Sequence, residues 1–278
     1  MNAALRFRYW LLIAPAVLLL LVFYIFPLVQ VLWLSVTEPT FGLDNYRELV
    51  DRPLLHRIWW TTIRICVITT VITVVAGYAV AYGMRLVGER QRTWMLFCVL
   101  LTFWLSVLVR AFAWVMLLRS EGMINVGLQE IGLIDQPLRL VRNEIGVIIG
   151  MVHFMLPLAI LPIYSNMTGI DARLMSASRG LGASPIRTFW SIYLPLSKPG
   201  IIAAVILVFV FSLGFFITPA ILGGGRVMMI SEYIRVSFEE TLRWGQATML
   251  ASTLLFAVLL TLAVFARFVD LKKVFGAR

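Results

Sequence analysis

The sequence predicts an all-α polytopic membrane protein with six transmembrane helices and both termini in the cytoplasm. Three observations carry this. Of 278 residues, 61% are hydrophobic and 14% charged, whereas a soluble domain is nearer half apolar and a quarter charged. The apolar residues fall in six blocks, each long enough to cross a hydrocarbon core of about 30 Å at about 1.5 Å per residue. Lys and Arg fall between the blocks, and unevenly on the two sides. Helices follow from the solvent, since hydrocarbon offers backbone groups no hydrogen bonds.

The blocks lie at about 10–36, 59–84, 93–118, 145–168, 199–222 and 245–267, within a single transmembrane domain over residues 1–278. Arg6 and Arg8 precede the first block, which is too long for a signal peptide and lacks a small-residue cleavage site, so it reads as a retained span. The second carries Arg64 near its outer end, after Trp59 and Trp60, and the third contains Arg110. Thirteen of the 24 Lys and Arg lie on the side of the termini, counting Arg267 at the very end of the sixth block, and nine on the other, with Arg64 and Arg110 inside spans. The positive-inside rule therefore places the termini and the 169–198 segment in the cytoplasm. The net charge of +10 is explained by basic loops facing anionic lipid rather than nucleic acid, since no stretch is left for a basic soluble domain. Cys66 and Cys98 lie in spans and read as small buried side chains, without disulfide or metal spacing. On the outer side, 125–134 and 231–241 have helical apolar spacing and read as helices at the membrane surface.

The cytoplasmic segment is more than a connection. Asp171 suits the N-cap of a helix over about 172–181, and Gly182 suits a sharp left-handed turn. Ser184 followed by Pro185 opens a second helix through Phe189, Trp190 and Tyr193. Leu194-Pro195 reads as its stop, and Pro199-Gly200 as the start of the fifth span.

This run, Ser176-Ala177-Ser178-Arg179-Gly180-Leu181-Gly182-Ala183-Ser184 with Leu194-Pro195 twelve residues after Gly182, resembles the coupling loop of ABC importer permeases. The family's Glu-Ala-Ala falls on Ser176, Ala177 and Ser178, so the acidic residue is absent here. Phe103-Trp104-Leu105-Ser106 with Leu108-Val109-Arg110-Ala111-Phe112-Ala113-Trp114 is similar to spermidine/putrescine-type permeases, as are Glu121 to Asn125, Leu156-Pro157, Leu161 to Tyr164, and Phe216 to Gly224. The resemblance covers most of the chain from about residue 40. It implies the type I ABC importer permease fold in a bacterial inner membrane. The implied partners are two cytoplasmic ATPase subunits, a second permease subunit expected to be a different chain, a periplasmic substrate-binding protein and membrane lipid, with no nucleic acid. It also implies that Ser176, Ala177, Ser178, Arg179, Leu181, Gly182, Ala183 and Ser184 seat the loop in an ATPase groove. The sequence has no G-x-x-x-x-G-K-[ST] phosphate loop. The chain is thus expected to bind no cofactor and to be a transport subunit rather than an enzyme, with ATP and magnesium on the partner ATPase.

Charges and breaks inside spans mark the pathway. Arg110 lies about eight residues inside the outer end of its block, or roughly 12 Å along the axis. It reads either as a pathway residue or as a snorkelling anchor. Arg64 has the same two readings. His153 reads as a substrate contact or as an interhelical hydrogen-bond partner. Thr218-Pro219 opens the fifth span, with Phe215 and Phe216 beside it. Trp104 and Trp114 offer aromatic faces to organic cations. The candidate pathway set is therefore Arg110, Trp114, His153, Phe215, Phe216, Thr218 and Pro219. No Asp or Glu lies in the core of any span, although a polyamine would favour one. The cargo is read as a small organic solute, a polyamine or an amino-acid-like, opine or organophosphonate solute. An ion-coupled secondary transporter would need an intramembrane acid, and a membrane-embedded enzyme would need a catalytic cluster. Neither is evident.

Overall fold

The computed structural model describes the backbone of residues 3–268 and the side chains of residues 12–267. The Arg6 and Arg8 side chains, and Lys272, Lys273 and Arg278 beyond the last span, lie outside these described residues. Every described regular element is helical. Among the described residues five helices are long and apolar enough to cross a membrane, and six if one bent pair is counted as a span.

The first unit comprises residues 1–56 and 233–256. Helix α1 (Ala3–Leu20), a π-helical turn (Leu21–Ile25) and α2 (Phe26–Thr37) form one apolar rod. The π turn lies just before Pro27. It widens the helix where proline can neither donate nor fit against the preceding turn. None of residues 12–34 of the rod is buried within the chain, and Ser35 is the first that is. Helix α3 (Asp44–Asp51) follows. Buried Asn45 donates to the Ser35 carbonyl at 3.1 Å and the Glu38 carbonyl at 2.6 Å, fixing the turn that ends α2. Glu48 accepts from Arg52 at 2.6 Å and Gln246 at 3.3 Å. Arg235 pairs with Glu239 and Glu240, both at 3.0 Å.

The second unit comprises residues 57–232 and 257–278. Helix α4 (Pro53–Leu86), whose last thirty residues lie here, is longer at both ends than the 59–84 span expected from hydropathy. Helix α8 (Glu144–Thr168) packs chiefly on α11 (Leu194–Leu213). Their contact is close because Gly200 faces Asn166 and Pro162: a Cβ there would stand 2.7 Å from the Asn166 Cβ and 3.0 Å from the Pro162 oxygen. Small residues at such crossings let backbones approach, which is how helices associate where lipid supplies no hydrophobic drive. Val74, Ala81, Met155, Ala159, Ile163, Tyr193, Ala204 and Val208 form the core around this contact.

Three expectations are corrected here. The third block, read as one span over 93–118, is two helices, α5 (Glu89–Trp104) and α6 (Val107–Leu118). The axis bends by 100° between α5 and the Val107–Glu130 segment. Leu105 and Ser106 are extended at ψ of 133° and 135°, so Arg110 stands in the first turn of α6 rather than deep in a straight span. Secondly, Leu194-Pro195 does not stop the second loop helix. Helix α10 (Pro185–Thr188), a π turn (Phe189–Tyr193) and α11 run on as one apolar helix over Pro185–Leu213. The Leu194 N–H reaches back to the Phe189 carbonyl, and that widened turn accommodates Pro195 as the first accommodates Pro27. Thirdly, the fifth span does not run to 222. It ends at Leu213, and Pro219–Gly223 forms a separate π turn.

Helix α7 (Met123–Glu130) is held by buried Asn125, which donates to the Arg119 and Leu138 carbonyls and accepts from the Leu138 N–H. Arg64 pairs with Glu144 in the first turn of α8.

Candidate functional site

Two groups of residues stand out. The first is the loop between α8 and α11. Helix α9 (Ala172–Gly180) starts where the Asp171 carboxylate accepts the Arg173 N–H at 2.8 Å. It ends on Gly182, whose φ of +83° lies in the left-handed region that favours glycine. The Gly182 N–H then reaches the Arg179 carbonyl at 2.9 Å, and the Ala183 N–H reaches Ser178 at 3.2 Å. The Ser184 hydroxyl accepts from the Arg187 N–H at 3.3 Å, capping α10. No residue of α9 is buried, and Leu181 is 90% exposed. Ser176, Ala177, Arg179, Leu181, Gly182 and Ser184 are thus open to a partner. Ser178 is turned inward, within 3.0 Å of the Thr188 hydroxyl, and Ala183 is half-buried.

The loop is tied to α4 by aromatic rings, Phe189 and Tyr193 on the loop side and Tyr78 and Tyr82, which the sequence reading did not single out, on α4. Tyr82 meets Phe189 edge-on at 5.4 Å and Tyr193 at 5.2 Å. Tyr78 meets Phe189 at 6.1 Å, and its hydroxyl lies 3.1 Å from Ser197. The signal was the spacing of 78 with 82 and 189 with 193, which puts each pair on one helix face.

The second group surrounds the break after α11. Phe154 is its hub, and sequence reasoning missed it because nothing polar marks it. The Arg110 guanidinium lies 4.4 Å from the centre of the Phe154 ring, and the Phe215 ring lies 4.5 Å away on Phe154 as well. One turn of α6 further on, Trp114 Nε1 donates to His153 Nδ1 at 3.2 Å. This bond fixes the neutral histidine tautomer with its proton on Nε2. Arg110 is only 9% exposed, its Nε has no hydrogen-bond partner, and no carboxylate pairs with it among the described residues. The chain leaves the helix over residues 214–216, and the Phe215 carbonyl is satisfied by the Ser231 hydroxyl at 2.9 Å. Thr218 and Pro219 are buried. A Cβ at Gly150 would stand 2.6 Å from Thr218, so α8 and this segment touch. Phe216 is 37% exposed. The structure thus gathers Arg110, Trp114, His153 and Phe215 around Phe154, with Thr218 and Pro219 about one turn of α8 away at Gly150. Irregular backbone at membrane depth occurs where it is buried in protein or lines a cavity.

Apolar crossings, a capped loop left open to a partner and a broken helix lined by aromatics define a transport permease. The family model for the binding-protein-dependent transport system inner membrane component matches residues 73–271. The chain belongs to this family, and is a transmembrane permease subunit of an ABC importer in the inner membrane. It is 35% identical over 220 residues to the spermidine/putrescine transport system permease protein PotB of Haemophilus influenzae, covering 78% of this chain and 77% of that one. It is 33% identical over 228 residues to PotB of Escherichia coli, covering 81% and 82%. The fold matches a bacterial ABC transporter involved in the import of the acidic polysaccharide alginate, with a TM-score of 0.74 at 20% identity over 95% of this chain and 97% of that one. A second structure of a bacterial alginate ABC transporter, in complex with a pentasaccharide-bound periplasmic protein, matches at 0.74 and 19% identity over 93% and 92%.

Proposed function

We propose that this chain forms one half of an ATP-driven import pathway for a polyamine delivered by a periplasmic binding protein. The identity to PotB permeases over about four-fifths of both chains carries this reading. Two ATPase subunits dock on the loop with the termini in the cytoplasm, and α9 fits a groove through Ser176, Ala177, Arg179, Leu181, Gly182, Ala183 and Ser184. The chain itself holds no nucleotide, and ATP with magnesium belongs to the ATPases. Closure of the ATPases moves α9, and the rings at Phe189, Tyr193 and Tyr82 carry the motion into α4. Rigid-body rocking of packed helices then alternates access. A second permease, a different chain, covers the apolar rod over Leu12–Thr37, whose residues 12–34 are not buried within this chain.

Cargo passes beside Trp114, Phe154, Phe215 and Phe216, where aromatic faces attract organic cations. Arg110 repels a cation at the same place, so the pathway offers no deep well and cargo is released rather than held. Selection then rests mainly on the binding protein. The unpaired Arg110 guanidinium also favours a second reading, in which the cargo is an anionic or zwitterionic organic solute such as an organophosphonate or opine.

Proteoliposomes holding the assembled importer and its binding protein distinguish these readings. ATP-dependent uptake of labelled spermidine or putrescine supports the first. Uptake of an organic anion with no polyamine uptake overturns it.

A further inference from the structure

A cavity of about 230 Å³ lies between the inner end of α4 and the loop, lined by Tyr82, Arg85, Met175, Arg179, Phe189 and Tyr193 among others. None of the residues lining it is acidic, and two are arginines. The Arg85 guanidinium stands beside the Tyr193 hydroxyl, within reach of a hydrogen bond to it. Arg85 Nε, sealed from solvent, has no hydrogen-bond partner. Buried donors left unmade are costly and rare in native proteins. Arg85 in the last turn of α4 benefits from the helix dipole, but the dipole does not satisfy an Nε–H. By contrast Thr188, also on the wall, is already served by Ser178.

We propose that this cavity binds a phosphate group. Its wall offers two guanidinium forks and a phenolic hydroxyl, the donor set that phosphate oxygens match best. Its volume is below that of pockets that enclose drug-sized ligands, and suits a headgroup rather than a nucleotide. Leu86, at 69% exposure, and Ile170 also line it, giving a lipid tail an apolar surface next to the charged pocket. Basic pockets beside span ends are where anionic lipid headgroups seat. The source of the phosphate is thus an anionic phospholipid, with free phosphate as the other source of the same chemistry. The inference is independent of the cargo.

Native mass spectrometry of the assembled importer, released from nanodiscs of mixed phosphatidylglycerol and phosphatidylcholine, tests it. Wild type should retain phosphatidylglycerol preferentially. Arg85→Gln should retain it about tenfold less, the scale of one charge-assisted hydrogen bond, and Tyr193→Phe, which removes one oxygen, a few-fold less. Displacement of the lipid by millimolar inorganic phosphate in wild type but not in Arg85→Gln would assign the site to phosphate from either source. Both variants are compared as monodisperse complexes, so a folding defect is visible separately. The proposal is overturned if both variants retain phosphatidylglycerol as wild type does. It is also overturned if wild type neither discriminates between the two lipids nor responds to phosphate.

Discussion

Gly182 sets the angle at which α9 leaves the membrane side, and replacing it separates conformation from steric fit. Its φ is +83°, and within the chain a Cβ there would meet nothing within 4 Å. The cost of a side chain is therefore backbone cost alone, about 1–2 kcal/mol for an L-residue in the left-handed region. Asparagine tolerates that region and should lose much less, while valine, branched at Cβ, should lose most. A loss of 1–2 kcal/mol corresponds to a factor of about 5–30 in the population holding the native loop angle. The assay is the ATPase rate of the reconstituted importer with and without loaded binding protein. Stimulation should stay near wild type for Gly182→Asn, fall about fivefold for Gly182→Ala, and fall further for Gly182→Val. Full stimulation by Gly182→Val would refute the argument. Equal failure of Asn and Val would also refute it, since the glycine would then matter for contact with the ATPase rather than for φ.

Two more outcomes follow from packing. Gly200→Val forces apart α11 and α8, where the obstacle includes the Pro162 carbonyl, so overpacking of about 1–3 kcal/mol or more should appear as a lower unfolding temperature in detergent. Tyr82→Leu keeps an apolar side chain but removes two edge-to-face contacts, each worth about 0.5–1.5 kcal/mol. The ratio of stimulated to basal ATPase should fall several-fold while a pull-down still recovers the ATPase, and an unchanged ratio counts against the ring path.

Much of the loop was legible because its determinants are local. Asp171, Gly182, Ser184 and Pro185 each act on backbone groups within four residues, so caps and turn could be placed from spacing. The Leu194-Pro195 stop was misread because the proline's conflict is relieved by a widened turn over Phe189–Tyr193, and such a turn leaves no compositional mark. The straight third span was misread for a related reason. Hydropathy reports length and polarity, while the 100° bend is set by the extended backbone at Leu105 and Ser106. The Arg64 ion pair could not be read from spacing because its partner, Glu144, is eighty residues away.

By itself the sequence determined the solvent, the helical class and the loop's caps, since hydrogen-bond satisfaction in lipid and at helix ends is decided by neighbours along the chain. The tertiary structure alone decided which aromatic ring receives Arg110, how the loop grips α4, and where the fifth span breaks. Those depend on which side chains meet across helices, and Phe154, Tyr82 and Gly150 acquire their roles only from what packs against them.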